Sequence, residues 1–222
     1  NWEEARSEMA VPLKVGEKTI GAIDVQSPEK NTFSADDQRL LLAFAERAAL
    51  AIENIRLYED AKRRLGRLGA LHTIDVAIAK SVDNNQTVEV IAEQAQKELK
   101  VDAVSILVKS PSSQSFACLA RRGFHTKALV YTNLAMGEGL AGQAASKRQI
   151  IRIDNLEEKS SFAKTPELAN ENFISYWGVP LISKGKVNGV LEIFHRKALL
   201  PNAEWESFLT TLAGQAAIAI DN

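Results

Sequence analysis

The sequence is poor in the residues that mark covalent and metal-built architectures. It has one cysteine, Cys118, in 222 residues. No internal disulfide can form, and neither a CxxC redox pair nor a multi-cysteine zinc site can be assembled. Such usage fits a reducing compartment, so a cytoplasmic location is expected. No apolar run reaches the ~18 residues of a membrane span, so no membrane insertion is expected, and no signal peptide is visible. An excess of one charge is lacking as well: 27 basic and 28 acidic residues leave a net charge of −1. That balance gives no electrostatic footprint for nucleic acid. The histidines, His72, His125 and His195, lie far apart and show no metal-ligand spacing. What remains is 45% hydrophobic and 25% charged, the composition of an ordinary globular chain.

What the sequence does have is a repeat. Ala48–Asn54 reads AALAIEN and Ala216–Asn222 reads AAIAIDN; 216 − 48 gives an offset of 168. At that offset Val11-Pro12-Leu13 falls on Val179-Pro180-Leu181, Gly21 on Gly189, Asp24 on Glu192, and Ala45 on Ala213. The register holds without a gap from Val11 to Asn54, which marks one structural unit used twice. Each copy reads as two short strands about a polar turn, then a loop and a helix. Ser34 and Asn202 are the expected N-caps, each followed by acidic residues in the first turn. Only the second copy has a long stretch before it. The chain opens on Asn1 and stops in what reads as a helix, so a piece of a longer protein is expected.

Between the copies, residues 67–80 and 84–100 carry apolar stripes of helical spacing. VDAVSILVKS is a β-branched strand with Val104, Ile106 and Val108 on one face and Ala103, Ser105 and Leu107 on the other. SFACLARRG follows, with Phe116, Cys118 and Ala120 expected on one face. MGEGLAG leads into a short helix, QIIRI is a strand, and residues 156–175 read as a long loop with a short helix. The resulting class is α+β, an antiparallel sheet with helices on one face.

GEGLAG, IIRIDN, GVPL…GKVNGVLEI and LAGQAAIAIDN, in this order, resemble the GAF family, and AVPL…TIGAIDVQS…AALAIEN resembles the end of another such domain. The resemblance implies a GAF/PAS-like sheet of five to six strands with a long connecting helix. It implies the C-terminal half of a first domain over 1–58, a helical linker over 59–66 and a complete second domain over 67–222. It also implies a small-molecule pocket on the sheet face away from the terminal helices. Candidates to line that pocket are Phe116, Cys118, Phe162, Phe173, Tyr176, Trp177 and Glu192. The aromatics among them fit two readings, walls of a pocket or a plug that fills it. Glu192 either orients a cationic ligand or caps a loop. Cys118 reads as a small buried hydrophobe, since Leu119 rather than a histidine follows it, unlike the bilin-attaching relatives. Relatives that reduce methionine sulfoxide need several cysteines and are excluded. The motif of cyclic-nucleotide-binding relatives is incomplete here, since Asn155 and Lys159 are not adjacent.

From Ala35 to Ser81 there is no proline, and Gly66 and Gly69 are the only glycines. One continuous helix is expected. Leu41, Phe44, Ala48, Ala51, Ile55, Tyr58, Lys62 and Leu65 follow a three-four spacing that suits a seam between two parallel chains. No nucleophile–base pair, carboxylate pair or metal cluster is recognisable, so no enzyme is expected, and the cofactor is unknown. The expected function is that of a sensory module in a bacterial signalling protein. It would bind an unidentified small molecule and act as a homodimer on a downstream kinase, cyclase or phosphodiesterase domain. The alternative is a ligand-free scaffold that only dimerises.

Overall fold

The computed structural model describes residues 4–80, 84–110, 113, 115–126, 134–156, 168 and 170–221. The chain divides into two compact units, Asn1–Leu65 and Gly66–Asn222. In the smaller unit β1 (Ser7–Val15) and β2 (Lys18–Ser27) form an antiparallel hairpin, followed by α1 (Ala35–Lys80). The helix begins in a reciprocal cap. Asp37 N donates to Ser34 Oγ at 3.2 Å, and Ser34 N donates to Asp37 Oδ2 at 2.8 Å. This is a capping box with aspartate as the acidic member; Ser34 Oγ also donates to Asp37 Oδ2 at 2.6 Å, and this hydroxyl, followed by Ser34 N, holds the Asp37 carboxyl below its ordinary value. Val11 and Leu13 of β1 bury against Ala45 and Ala49 of α1; the alanines let the helix lie close to the strands.

The larger unit contains the C-terminal part of α1, then α2 (Asn84–Leu99), β3 (Ala103–Lys109), β4 (Ser115–Arg122), β5 (Leu134–Ala135), α3 (Gly139–Lys147), β6 (Ile151–Ile153), β7 (Ser175–Ser183), β8 (Lys186–His195) and α4 (Ala203–Asp221). The strands form one sheet in the order β5-β4-β3-β8-β7-β6, and every pair is antiparallel. One face is covered by α1, α2 and α4. There Ile74, Ile91, Leu209 and Leu212 bury against Val104, Ile106, Leu191 and Ile193. Asn202 caps α4 through Oδ1, which accepts from Trp205 N at 2.9 Å. The helices are not confined to that face: α3 packs on the other, with Ala141, Ala144 and Ala145 against Leu107, Phe116 and Val190. Its glycine-rich approach is a turn, closed by Gly137 N donating to Gly142 O at 2.9 Å.

The repeat extends to irregularities of the backbone. The β1–β2 register shifts between Leu13 and Lys14, and the β7–β8 register shifts between Leu181 and Ile182, at the same offset of 168 (181 − 13). Both hairpins turn through two residues. Gly16 alone has positive φ in the first, and Lys184 and Gly185 both have it in the second, as the two favoured hairpin turns require. Leu13 pairs with Gly21 and Leu181 with Gly189. A Cβ at Gly21 would lie 3.3 Å from Leu13 Cδ1, and one at Gly189 3.2 Å from Leu181 Cδ1. The copies differ on the next side. At Gly189 the same Cβ would sit 2.3 Å from Leu107 O of β3, whereas the sheet of the smaller unit ends at β2.

One expectation about strand faces fails. Phe116 and Cys118 lie on the α3 face, but Ala120 is buried among the helices of the opposite face. The register shift between Ile106 and Leu107 is the reason: Ile106 pairs with Ala120 and Leu107 with Cys118, which leaves Leu119 as an extra residue. A bulge breaks the alternation that sequence reading relies on.

Gly189→Ala and Gly21→Ala separate the two environments. Gly189→Ala should destabilise the larger unit by about 2 kcal/mol or more, because a rigid carbonyl must move. Gly21→Ala should change stability by less than about 1 kcal/mol, because only a leucine methyl gives way. Urea unfolding followed by circular dichroism checks both; equal losses would contradict the decisive role of the Leu107 carbonyl beside Gly189.

Candidate functional site

Strands β3, β8 and β7 lie side by side, and their registers bring Ser105, Glu192 and Gly178 into one row. Glu192 is 3% exposed on the face that α3 covers. Its Oε2 accepts from Ser105 Oγ at 2.6 Å and its Oε1 from Tyr176 OH at 2.9 Å. Tyr176 lies two residues before Gly178 on the same face, and its ring folds along the strand to reach the carboxylate. A Cβ at Gly178 would meet Tyr176 OH at 2.5 Å, so glycine is what leaves room for this reach. The trio lies between two apolar clusters. Tyr176, Phe173, Phe194, Ala103 and Leu156 form one; Phe116, Leu107 and Val190 belong to the other.

Burial raises the Glu192 carboxyl from 4.5 to about 7, although both hydroxyl donors pull it down. Removal from water disfavours the charged form, and two neutral donors do not restore what water gave. Arg121 pairs with Ser105 across β3–β4, so its side chain leaves the same face. Its Nη1 is buried with no hydrogen-bond partner among the described residues. The Cys118 thiol is pushed up to about 11, first by burial and then by the charge of Glu192. It is therefore a neutral thiol near pH 7, not a nucleophile.

A second buried carboxylate fastens the rim. Glu171 is 0% exposed. It accepts from His125 N at 3.0 Å, Thr126 N at 2.7 Å, Thr126 Oγ1 at 2.9 Å and Arg196 Nη2 at 2.8 Å. Burial pushes this carboxyl up, but the backbone donors of His125 and Thr126, with the Thr126 hydroxyl and Arg196, outweigh it and hold it below its ordinary value. The guanidinium of Arg196 also lies 4.6 Å from the Phe173 ring centroid. The strand ends, the segment after β4 and the residues before β7 are thus tied around one charge.

The sequence-derived candidates separate accordingly. Tyr176 and Glu192 are in contact, and Phe116, Phe173 and Cys118 lie on the same face. Trp177 does not belong with them. It is buried on the opposite face, with its ring 5.3 Å from that of Trp205 and Arg152 5.0 Å above it. Neighbours along a strand point to opposite faces, so Tyr176 and Trp177 cannot line one pocket. Phe162 lies outside the described residues. Ser105 and Arg121 were missed as site residues: a lone serine in an apolar strand is no signal, and the register that aims Arg121 depends on the bulge. Among the described residues no group of three or more His, Cys, Asp or Glu is placed to hold a metal, and no helix is long and apolar enough to cross a membrane.

The family profile described as GAF domain matches residues 1–53 and 81–221. The chain belongs to the GAF domain family. Its fold is that of the GAF domain from an Acinetobacter phosphoenolpyruvate-protein phosphotransferase, at 28% identity and a TM-score of 0.61 over 69% of this chain and 92% of that one. The GAF domain of a Coxiella burnetii phosphoenolpyruvate-protein phosphotransferase shares the fold, at 24% identity and a TM-score of 0.62 over 71% and 94%. Among curated proteins the chain is 25% identical over 150 residues to the phosphoenolpyruvate-dependent phosphotransferase system of Escherichia coli strain K12. That match covers 68% of this chain and 20% of the relative, so the GAF chain spans about a fifth of its length. GAF domains are sensory and regulatory modules, and the buried trio lies on the sheet face that the resemblance assigns to the ligand.

The raised Glu192 carboxyl fixes the sign of a stability change with pH. The folded chain keeps a proton that the unfolded chain releases from pH 4.5 upward, so folding stability falls between pH 4.5 and about 7 and is level above. At 1.36 kcal/mol per pH unit the difference is about 3 kcal/mol. Glu192→Gln, which keeps a donor and an acceptor for the two hydroxyls, should be more stable than the parent at pH 8 by up to that amount. Near pH 4.5 the two should be alike. Urea midpoints at both pH values decide it; a uniform loss on substitution would show that the ionised form is not the costly one.

Proposed function

We propose that this chain is a tandem GAF region that senses a small polar molecule in its second domain. The observation that carries the reading is that a buried carboxylate and a half-buried arginine on one sheet face both have unused hydrogen-bonding capacity. Glu192 accepts from two hydroxyls, although a carboxylate has about four acceptor positions. Arg121 has a buried nitrogen without a partner among the described residues. Leaving such groups unmet is unfavourable, and a ligand with a donor group for Glu192 and an acceptor for Arg121 meets both. Such a site binds and discriminates; it offers no activated nucleophile, so the module is proposed to be non-enzymatic.

The smaller unit is proposed to be the C-terminal half of a first GAF domain. The shared turn length, shared register shift and shared leucine–glycine contact support this reading. Transmission is proposed to run through α1 in a homodimer. Phe44, Ala51, Tyr58 and Leu65 recur every seven residues along the helix; Phe44 is 59% exposed, and Tyr58 and Leu65 are each 69% exposed. Leu41 and Ala48, from the other line of the expected seam, pack on the hairpin of their own unit. The seam offered to a second chain is therefore that line together with Ile55, which is 58% exposed, weaker than a full heptad core. The output, a kinase, cyclase, phosphodiesterase or phosphotransferase module, belongs to the longer protein proposed to contain this region.

The same exposed line favours a second reading, a scaffold that dimerises and binds nothing. Native mass spectrometry of the purified chain separates the two. The sensor reading expects a small-molecule adduct that is lost, or bound at least tenfold more weakly, in Arg121→Ala and Glu192→Ala. An adduct indifferent to both substitutions, or none after incubation with cell extract, would favour the scaffold. Both readings expect Phe44→Glu with Tyr58→Glu to give monomers in sedimentation with helical content kept. A parent chain already monomeric would remove the proposed route of transmission.

A further inference from the structure

We propose that a cleft at the hairpin end of the larger unit is a second binding site, specific for a phosphate-bearing small molecule. The cleft holds about 850 Å3 and is lined by Lys109, Arg148 and Lys186, one carboxylate, Asp221, and apolar side chains that include Leu119 and Val187. It shares no residue with the Glu192 trio. None of the three cations has a carboxylate within ion-pair distance among the described residues. Asp221 does not serve them. Its Oδ2 is 2.9 Å from Lys184 Nζ and accepts from Ser183 Oγ at 3.1 Å, and its Oδ1 accepts from Asn188 Nδ2 at 3.2 Å. These partners, Lys184 first, hold its carboxyl below the ordinary value.

The three cations come from separate elements, and the backbone fixes where each starts. Arg148 ends α3 in the left-handed conformation, with φ 55°. Its Nη2 donates to Gly185 O at 2.6 Å, which places the guanidinium beside Lys186, the next residue. Lys109 ends β3, and its neighbour Val108 pairs with Gly189 of β8, so Lys109 stands beside Asn188. Three like charges around a partly apolar cleft repel one another, and a single group of two negative charges relieves all three at once. A phosphate carries about −1.5 to −2 at neutral pH. It also matches the planar fork of arginine and accepts charge-assisted hydrogen bonds from lysine. A carboxylate supplies one charge and leaves the cleft positive. The lining includes Ile220 and Asp221, so an occupant touches the last turn of α4.

Amide NMR of the intact chain, titrated with inorganic pyrophosphate at low salt, tests this. Saturable shifts are expected at Lys109, Arg148, Lys186 and Ile220, with a Kd tighter than about 1 mM. Arg148→Gln with Lys186→Gln, both exposed positions, should leave the spectrum folded and weaken binding at least tenfold. Glu192→Gln should leave the affinity unchanged. Shifts that stay linear in pyrophosphate, or binding undiminished in the double variant, would overturn the site. Binding lost in Glu192→Gln would move the anion to the distal face and overturn it equally.

Discussion

The pairing of β3 with β8 is the contact on which the larger unit depends. These are the two central strands of the sheet. Their register puts Ile106 beside Leu191 and Val104 beside Ile193 toward the helices, and Ser105 beside Glu192 toward the other face. One pairing thus builds the main core and the buried polar trio together. A slip by one residue would exchange the two faces and drive the carboxylate into the helix-side core. The close approach of Gly189 to Leu107 O holds the strands in this register, since no other side chain fits there. Both faces of the sheet must then be covered, by α1, α2 and α4 on one and by α3 with the Glu171-anchored rim on the other.

What could be read from the sequence follows from where regularity holds. The N-caps at Ser34 and Asn202, the continuous helix from Ala35 to Lys80 and the faces of β3 rest on local chemistry or an unbroken period, and all of them appear. Ala120 was lost to a bulge that no single sequence announces. Trp177 stands next to Tyr176 in a cluster of aromatics in and after the long loop, which suggests one pocket, although strand alternation alone separates adjacent residues. The trio itself was half visible. Glu192 stood out as an acid in an apolar strand, but its partners, Ser105 and Tyr176, lie 87 and 16 residues away. Sequence reading has no ruler for a three-strand row.

The two copies of the repeated unit show how context sets what a sequence can do. Both contain the same hairpin, the same displaced leucine and a helix opened by a side-chain cap. In the larger unit β8 is flanked by β3 and β7, and its glycine is pressed by a neighbouring carbonyl. In the smaller unit β2 has one neighbour among the described residues, and nine of the large exposed hydrophobics lie on that unit's part of α1, from Leu40 to Leu65. Apolar surface gathered so densely on one helix is more than scattered surface residues account for. Helices in proteins draw most of their stability from packing of an apolar face; the smaller-unit portion of α1 is braced by the hairpin at Ala45 and Ala49, and among the described residues none beyond Ala49 belongs to that cluster.

A buried carboxylate near its own titration point is an unstable arrangement, and that property makes it useful in a sensor. Ionised Glu192 disfavours the folded state by about 3 kcal/mol, because two hydroxyls do not replace water. A hydrophobic residue of similar size would remove that penalty, so stability alone does not account for the acid. A ligand that brings a donor to Glu192 stabilises the ionised form and displaces its proton, so binding and proton release are coupled. The coupling has a size: a donor that restores the carboxyl to its ordinary value gains the same 3 kcal/mol, about a hundredfold in affinity. It also has a direction. The carboxylate is held through Ser105 of β3 and Tyr176 of β7, so a group that competes for Glu192 pulls on both neighbours of β8 at once. Those strands carry Val104, Ile106 and Val179 into the helix-side core, where α1 and α4 rest. A ligand that changes the trio therefore acts on the strands that seat both helices, provided it distinguishes the two arrangements in affinity.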